Sequence, residues 1–227
     1  MGTRPNPDSR AAARPPVRRR KAAEERRAEI AAATLAILAE EGLHAWTTAA
    51  LARRVGVSEA CLFRHYAGKE DILADAVGRA ADELRRRIEA YRPPGDAWQG
   101  ARGLVLTLLE FVEQTGGAPL VVLSGHAAPV SRGLQGKAVQ VQDLLHARMT
   151  GLFLRAQGGR RSRARAARLA NLALAVTQSA GMRWMISGRT LPLRATAMDM
   201  FDELKRCLSD ERGAARVAPP APQESSR

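Results

Sequence analysis

Between Thr47 and Lys69 the apolar positions recur at helical spacing, stop, and resume. Leu51, Ala52 and Val55 share one face, Gly56 interrupts it, and Leu62 returns to it. The pattern predicts two short helices around a tight turn, with Ser58 placed to cap the second. A longer stripe precedes the pair. Ile30, Thr34, Ile37, Leu38 and Glu41 line one face of a helix that starts near Val17 and ends at Gly42. Leu43 and Trp46 then supply packing for a three-helix unit, with His44 as a turn residue. After Lys69, a long helix with Ile72, Leu73, Ala76, Val77, Leu84 and Ile88 on its buried side runs to about Tyr91, where Pro93, Pro94 and Gly95 stop it. Its position makes it the link between the N-terminal unit and the rest of the chain.

From about Asp96 to Asp210 the helical period continues without an alternating strand signal, so the expected fold class is all-α. Leu104, Val105, Leu108, Leu109 and Val112 form one stripe, and a second helix begins near Pro119 with Leu120 to Leu123. Val141, Leu144, Leu145, Met149, Leu152 and Phe153 form another. Between these, Gly125, His126, Gly133 and Gly136 mark turns or close backbone approach, and His126 is either a core histidine or a ligand. Leu169, Leu172, Val176, Ala180 and Trp184 make the face of one late helix, and Ala197, Phe201, Leu204 and Leu208 that of the last. With the small Ala173 and Gly181 nearby, Leu172, Val176, Ala180, Trp184, Phe201, Leu204 and Leu208 are expected to build a four-helix interface between two subunits. The domain organisation that follows is a basic tail over 1–16, a helix-turn-helix domain over 17–68, a helical regulatory and dimerisation domain over 69–210, and a second tail over 211–227.

Charge changes this picture from a fold to a partner. A formal net charge of +13 on 227 residues makes polyanions the natural ligands, although charge alone does not choose among DNA, RNA and an anionic membrane. Nine basic residues lie between Met1 and Arg27 against only Asp8, Glu24 and Glu25. They serve either as a solubilising tail or as an arm that tracks phosphates beside the reading helix. A second basic run, Arg160 to Arg168, is either the solvated start of a helix or a surface for an acidic peptide or remote phosphates. No apolar run approaches the roughly 20 residues of a membrane span, and the Arg-rich start lacks the apolar segment of a secretory signal, so the expected location is cytoplasmic. Cys61 and Cys207 stand alone, which argues against a disulfide framework or structural zinc.

Catalysis finds little footing. Asp71 and Asp75 lie one turn apart but have no companion base or metal-ligand cluster, so they read as a solvated face, and neither an enzyme nor a cofactor is expected. The outward face of the second short helix is different. Ser58, Glu59, Arg64, His65 and Lys69 gather hydroxyl, carboxylate, guanidinium, imidazole and ammonium groups within three turns, which suits a major groove where base edges and phosphates are met together.

The run Thr47-Thr48, Leu51-Ala52, Val55-Gly56-Val57-Ser58, Leu62-Phe63-Arg64-His65-Tyr66 and Gly68-Lys69-Glu70, followed by Ile72-Leu73, resembles the DNA-binding domain of TetR-type regulators. The resemblance implies a homodimeric, sequence-specific DNA-binding protein, a transcriptional repressor on a palindromic site. It also implies that Thr47, Thr48, Ser58, Phe63, His65, Tyr66 and Lys69 touch double-stranded DNA. Glu59, Ala60 and Arg64 complete the candidate set. Leu123-Ser124-Gly125-His126-Ala127 and Leu134-Gln135-Gly136-Lys137, together with Ala180-Gly181-Met182 and Leu191-Pro192, resemble a branch of that family acting in nucleoid occlusion. That branch implies FtsZ as a further partner, where other TetR-type proteins would take a small-molecule effector. Two positions depart from the pattern. Phe63 replaces the usual Tyr and removes a hydroxyl that would meet a phosphate, a loss of about 0.5 to 1.5 kcal/mol. Gln114 to Ala118 replaces a turn with Arg and Asn before Pro, in the region associated with FtsZ contact.

Overall fold

Each helix begins and ends where the chain changes its hydrogen-bonding options. A computed structural model describes residues 16–123, 132–156 and 162–217, which form nine α-helices and no strand. Helix α1 (Pro16–Glu40) opens on a proline, whose fixed φ suits a first helical position. Helix α2 (Thr48–Val55) is capped by Thr47 and closed by Gly56 in the left-handed region at φ 74°. Helix α3 (Glu59–Phe63) is capped by Ser58 and is followed by the long α4 (Lys69–Ala90). Asp96 caps α5 (Ala97–Gln114) by accepting from the Trp98 amide at 2.8 Å. Then come α6 (Ala118–Leu123), α7 (Arg132–Ala156), α8 (Arg163–Ile186) and α9 (Leu193–Val217).

Two expectations about breaks are corrected. Gly133 and Gly136 lie inside α7, and a Cβ on either would meet open space, so they mark neither a turn nor a close approach. Helix α9 continues past the expected boundary at Asp210 to Val217. Gly125, His126, Arg160, Arg161 and the tails over 1–15 and 218–227 lie outside the described residues.

The N-terminal core joins Ile30, Ile37 and Leu38 of α1 to Trp46, Leu51 and Leu62, and it is completed by Ile72, Leu73 and Val77 of α4. Ala118 of α6 and Leu134 of α7 also belong to it, so the boundary between 68 and 69 divides the sequence pattern but not the core. A second core packs Leu104, Val105 and Leu109 of α5 against Met149, Leu152 and Phe153 of α7. Ala166, Ala170 and Ala173 let α8 approach this layer closely, and Trp98 stands edge-on to Phe153 and Phe201 with centroids 5.0 and 6.0 Å away.

The Gln114–Ala118 turn stitches the two cores together. Gly116 and Gly117 have φ of 58° and 75°, and a Cβ on them would collide with Ala39 of α1 and Met185 of α8 respectively. Only glycine fits at both positions, which gives this turn its composition a structural cause. Arg189, in the loop between α8 and α9, donates from Nη2 to the Gly116 carbonyl at 3.1 Å.

Candidate nucleic-acid interface

The reader is built by caps rather than by long helices. Thr47 Oγ1 accepts from the Ala50 amide at 3.0 Å and starts α2. Ser58 Oγ accepts from the Cys61 amide at 3.3 Å and starts α3. Leu51, Ala52 and Leu62 bury their side chains between the two, leaving Ala60, Phe63, Arg64 and Lys69 on the outside. The helix after the turn is short: it holds five residues, and Arg64 is its C-cap. Phe63 is 48% exposed, an apolar ring preceding the exposed Arg64 in the chain.

The structure redistributes three candidate side chains. Thr48 Oγ1 donates to Glu59 Oε2 at 2.5 Å, so these two groups join the start of α2 to the start of α3 instead of both projecting freely. Tyr66 is corrected from a DNA contact to a core residue, because only 5% of it is exposed. Its hydroxyl donates to Asp75 Oδ2 at 2.6 Å, and burial followed by that hydrogen bond pushes its pKa well up. Asp75 in turn is no solvated-face residue: it also accepts from Arg79 Nε at 3.1 Å. His65 is half-buried, and its carbonyl accepts from Arg27. Arg27, Glu24 and Arg79 were not among the candidates. The available signal was the i, i+3 placement of Arg27 ahead of Ile30 on the stripe of α1, which put it over the reader.

Outside this cluster, α1 and α2 are tied by Arg54, which donates to Glu40 at 2.7 Å through both Nη atoms. The hydrogen bond from Arg54 holds the Glu40 carboxyl below the usual range. Lys69 opens α4 behind Gly68, which supplies no side-chain cap, so a cationic residue stands at the start of this helix.

The second candidate surface is the outer face of α8. Leu172, Met182 and Ile186 are 48%, 51% and 78% exposed, with Ala175, Gln178 and Ser179 between them on the same stripe. Val176 and Leu204 are half-buried. Ala180, Trp184 and Phe201 are corrected from interface to subunit core, where they pack with α5 and α7. For Ala180 and Trp184 the reason is that α8 carries two apolar stripes, and spacing alone merges them; Phe201, on α9, turns inward against Trp98 of α5. The Leu208 side chain lies outside the described residues. A cleft of about 390 Å³ opens between α7 and α8, lined among others by Asp143, His146, Asn171 and Gln178. No group of three or more metal-ligating side chains forms among the described residues, and none of their helices is long and apolar enough to cross a membrane.

Residues 30–76 match the N-terminal domain of the bacterial regulatory proteins of the tetR family. The chain resembles the nucleoid occlusion factor SlmA of Escherichia coli, with 34% identity over 120 residues, 51% of this chain and 60% of that protein. SlmA of Glaesserella parasuis is 29% identical over 118 residues, 48% of this chain and 58% of the relative. The chain therefore spans less than two thirds of the length of these relatives. A tetR-family transcriptional regulator from Streptomyces coelicolor superimposes with a TM-score of 0.64, covering 89% of this chain and 92% of its own at 18% identity. At that identity the likeness speaks for the fold alone.

Proposed function

We propose that this protein is a sequence-specific DNA-binding regulator that acts as a homodimeric repressor. Each subunit lays α3 in a major groove of a palindromic site, with Phe63 and Arg64 facing the duplex and Lys69 on a phosphate. The observation that carries this reading is the tetR-family domain itself, with a bare face of α3 next to Lys69 in a chain of net charge +13. The exposed apolar stripe of α8 is the surface on which two copies would meet. Selection of duplexes from a randomised pool tests it. Enrichment of a two-fold symmetric sequence, followed by repression of a reporter carrying that sequence, is expected; absence of any enriched sequence overturns it.

The SlmA likeness favours a second reading, a nucleoid-occlusion factor that inhibits FtsZ assembly when bound to DNA. The position of the bound sites separates the two. Sites at promoters with expression changes favour the repressor, whereas sites spread over the chromosome, with FtsZ polymers lost from the pellet in a sedimentation assay, favour occlusion. A small-molecule effector belongs to the first reading alone.

A further inference from the structure

Helix α3 has five residues, too few to hold its own direction by internal hydrogen bonds, and the turn that follows it at Arg64 and His65 takes a donor from elsewhere. One donor comes from α1. Arg27 gives Nε and Nη2 to the His65 carbonyl at 3.2 and 2.6 Å and sets its guanidinium 5.0 Å from the centroid of the Tyr66 ring. Tyr66 donates a hydrogen bond from its hydroxyl to Asp75 Oδ2 at 2.6 Å, and Arg79 joins that same oxygen at 3.1 Å to Glu24 Oε1 at 2.7 Å. Glu24 is on α1 again, so the chain of contacts closes on the helix where it began.

We propose that this ring, Arg27 with Tyr66, Asp75, Arg79 and Glu24, is a clasp that sets the angle of the reading helix, and that Arg27 is a positioning residue and not a phosphate contact. The inference rests on the DNA-binding reading above. Two arginines and two carboxylates cancel within the ring, so it adds no net charge to the duplex-facing surface. Two of the N–H groups of Arg27 point at a carbonyl, which is the geometry of a brace. A brace acts on the correct sequence, where the side chains of α3 must meet base edges in register. It has little effect on random DNA, where only phosphates are held.

The test uses the full chain with a duplex that the wild-type protein selects from a randomised pool and an unselected duplex of equal length, each titrated over a series of KCl concentrations. Arg27→Ala and Tyr66→Phe should weaken binding to the selected duplex by about three- to tenfold and to the unselected one by less than about twofold. The slope of log affinity against log salt should stay at the wild-type value in both variants, while Lys69→Ala lowers it by about 0.9. An Arg27→Ala slope that falls like that of Lys69→Ala makes Arg27 a phosphate contact and overturns the clasp. Equal losses on the two duplexes in Tyr66→Phe overturn it as well, and this variant, which deletes one hydroxyl, decides the matter if Arg27→Ala fails to fold. A wild-type protein that selects no duplex fails the DNA-binding reading first, and the clasp falls with it; a clear wild-type selection with unchanged variants fails the clasp alone.

Discussion

The face of α3 and the face of α8 are both left bare by the fold, and they are bare in different ways. On α3 a single exposed ring, Phe63, stands beside Arg64 and near Lys69, and the surrounding polar groups are committed to one another through Thr48, Glu59 and the clasp. On α8, Leu172, Met182 and Ile186 alternate with alanine, serine and glutamine. The first surface is aligned by directional bonds and matches a charged, hydrated ligand whose features lie at fixed spacing. The second is a strip of apolar and small side chains, proposed above as the meeting surface of two copies, where area counts for more than direction. Behind them the same contrast holds. Inter-helix ion pairs and hydrogen bonds brace the reader at Arg54, Arg79 and Arg27, whereas rings and alanines fill the C-terminal core.

The largest effect that tests this division is expected at Phe201. It is 1% exposed against Trp98, so Phe201→Asp places a carboxylate in the core and should cost more than about 3 kcal/mol, seen as loss of the helical circular dichroism or a much lower denaturation midpoint. A folded monomer instead would return Phe201 to the subunit interface. Met182→Asp sharpens the other side of the contrast. Because Met182 already faces solvent in one subunit, the charge should leave the subunit's secondary structure intact and shift sedimentation from dimer to monomer, a loss on the order of 1 to 3 kcal/mol per buried side chain. Dimers of unchanged affinity would place the contact elsewhere.

These two residues also show what the sequence carried and what it did not. The period of 3.6 placed the nine helices well, because most of them bury one stripe and are capped by Thr47, Ser58 or Asp96 or stopped by Gly42, Gly56 and Pro93. It could not divide α8, whose inward and outward stripes are both apolar, so Ala180, Trp184 and Leu172 fell into one set although only Leu172 is exposed. The reader was legible for the opposite reason: its caps and apolar positions are local in sequence, and they coincide with a dense family pattern. The clasp was not legible. Tyr66 looked like an outward aromatic, and its burial depends on Arg27 and Asp75, which lie 39 and 9 residues away. Glu59 looked free for the same reason, since its partner Thr48 sits 11 residues back across the turn.

Lys69 offers a smaller effect, and one that separates charge from direction. It stands at the start of α4 and has no part in the clasp. Lys69→Ala should weaken all duplexes alike and reduce the salt slope by about 0.9, with folding unchanged, as read by fluorescence anisotropy over a KCl series. A loss confined to the preferred sequence would instead give Lys69 a role in base readout and blur the distinction between the two faces.

The smallest effect belongs to a carboxylate whose ion pairs stay within one helix. Glu83 accepts from Arg87 at 2.8 Å and from Arg86 at 2.7 Å, all within α4, and those hydrogen bonds hold its carboxyl below the ordinary 4.5. Since the unfolded chain then takes up this proton first as pH falls, the stabilisation is complete above the ordinary carboxylate range. It disappears as pH drops through the lowered folded value. The side chain is 39% exposed and screened by water, so the contribution is at most a few tenths of a kcal/mol. Glu83→Gln should therefore lower the melting temperature slightly at pH 7, and the gap to wild type should close as pH falls through the lowered carboxyl value. A gap that persists in acid would mean that Glu83 acts through packing of its stem, and that even the single-helix pairs of α4 do more than carry charge.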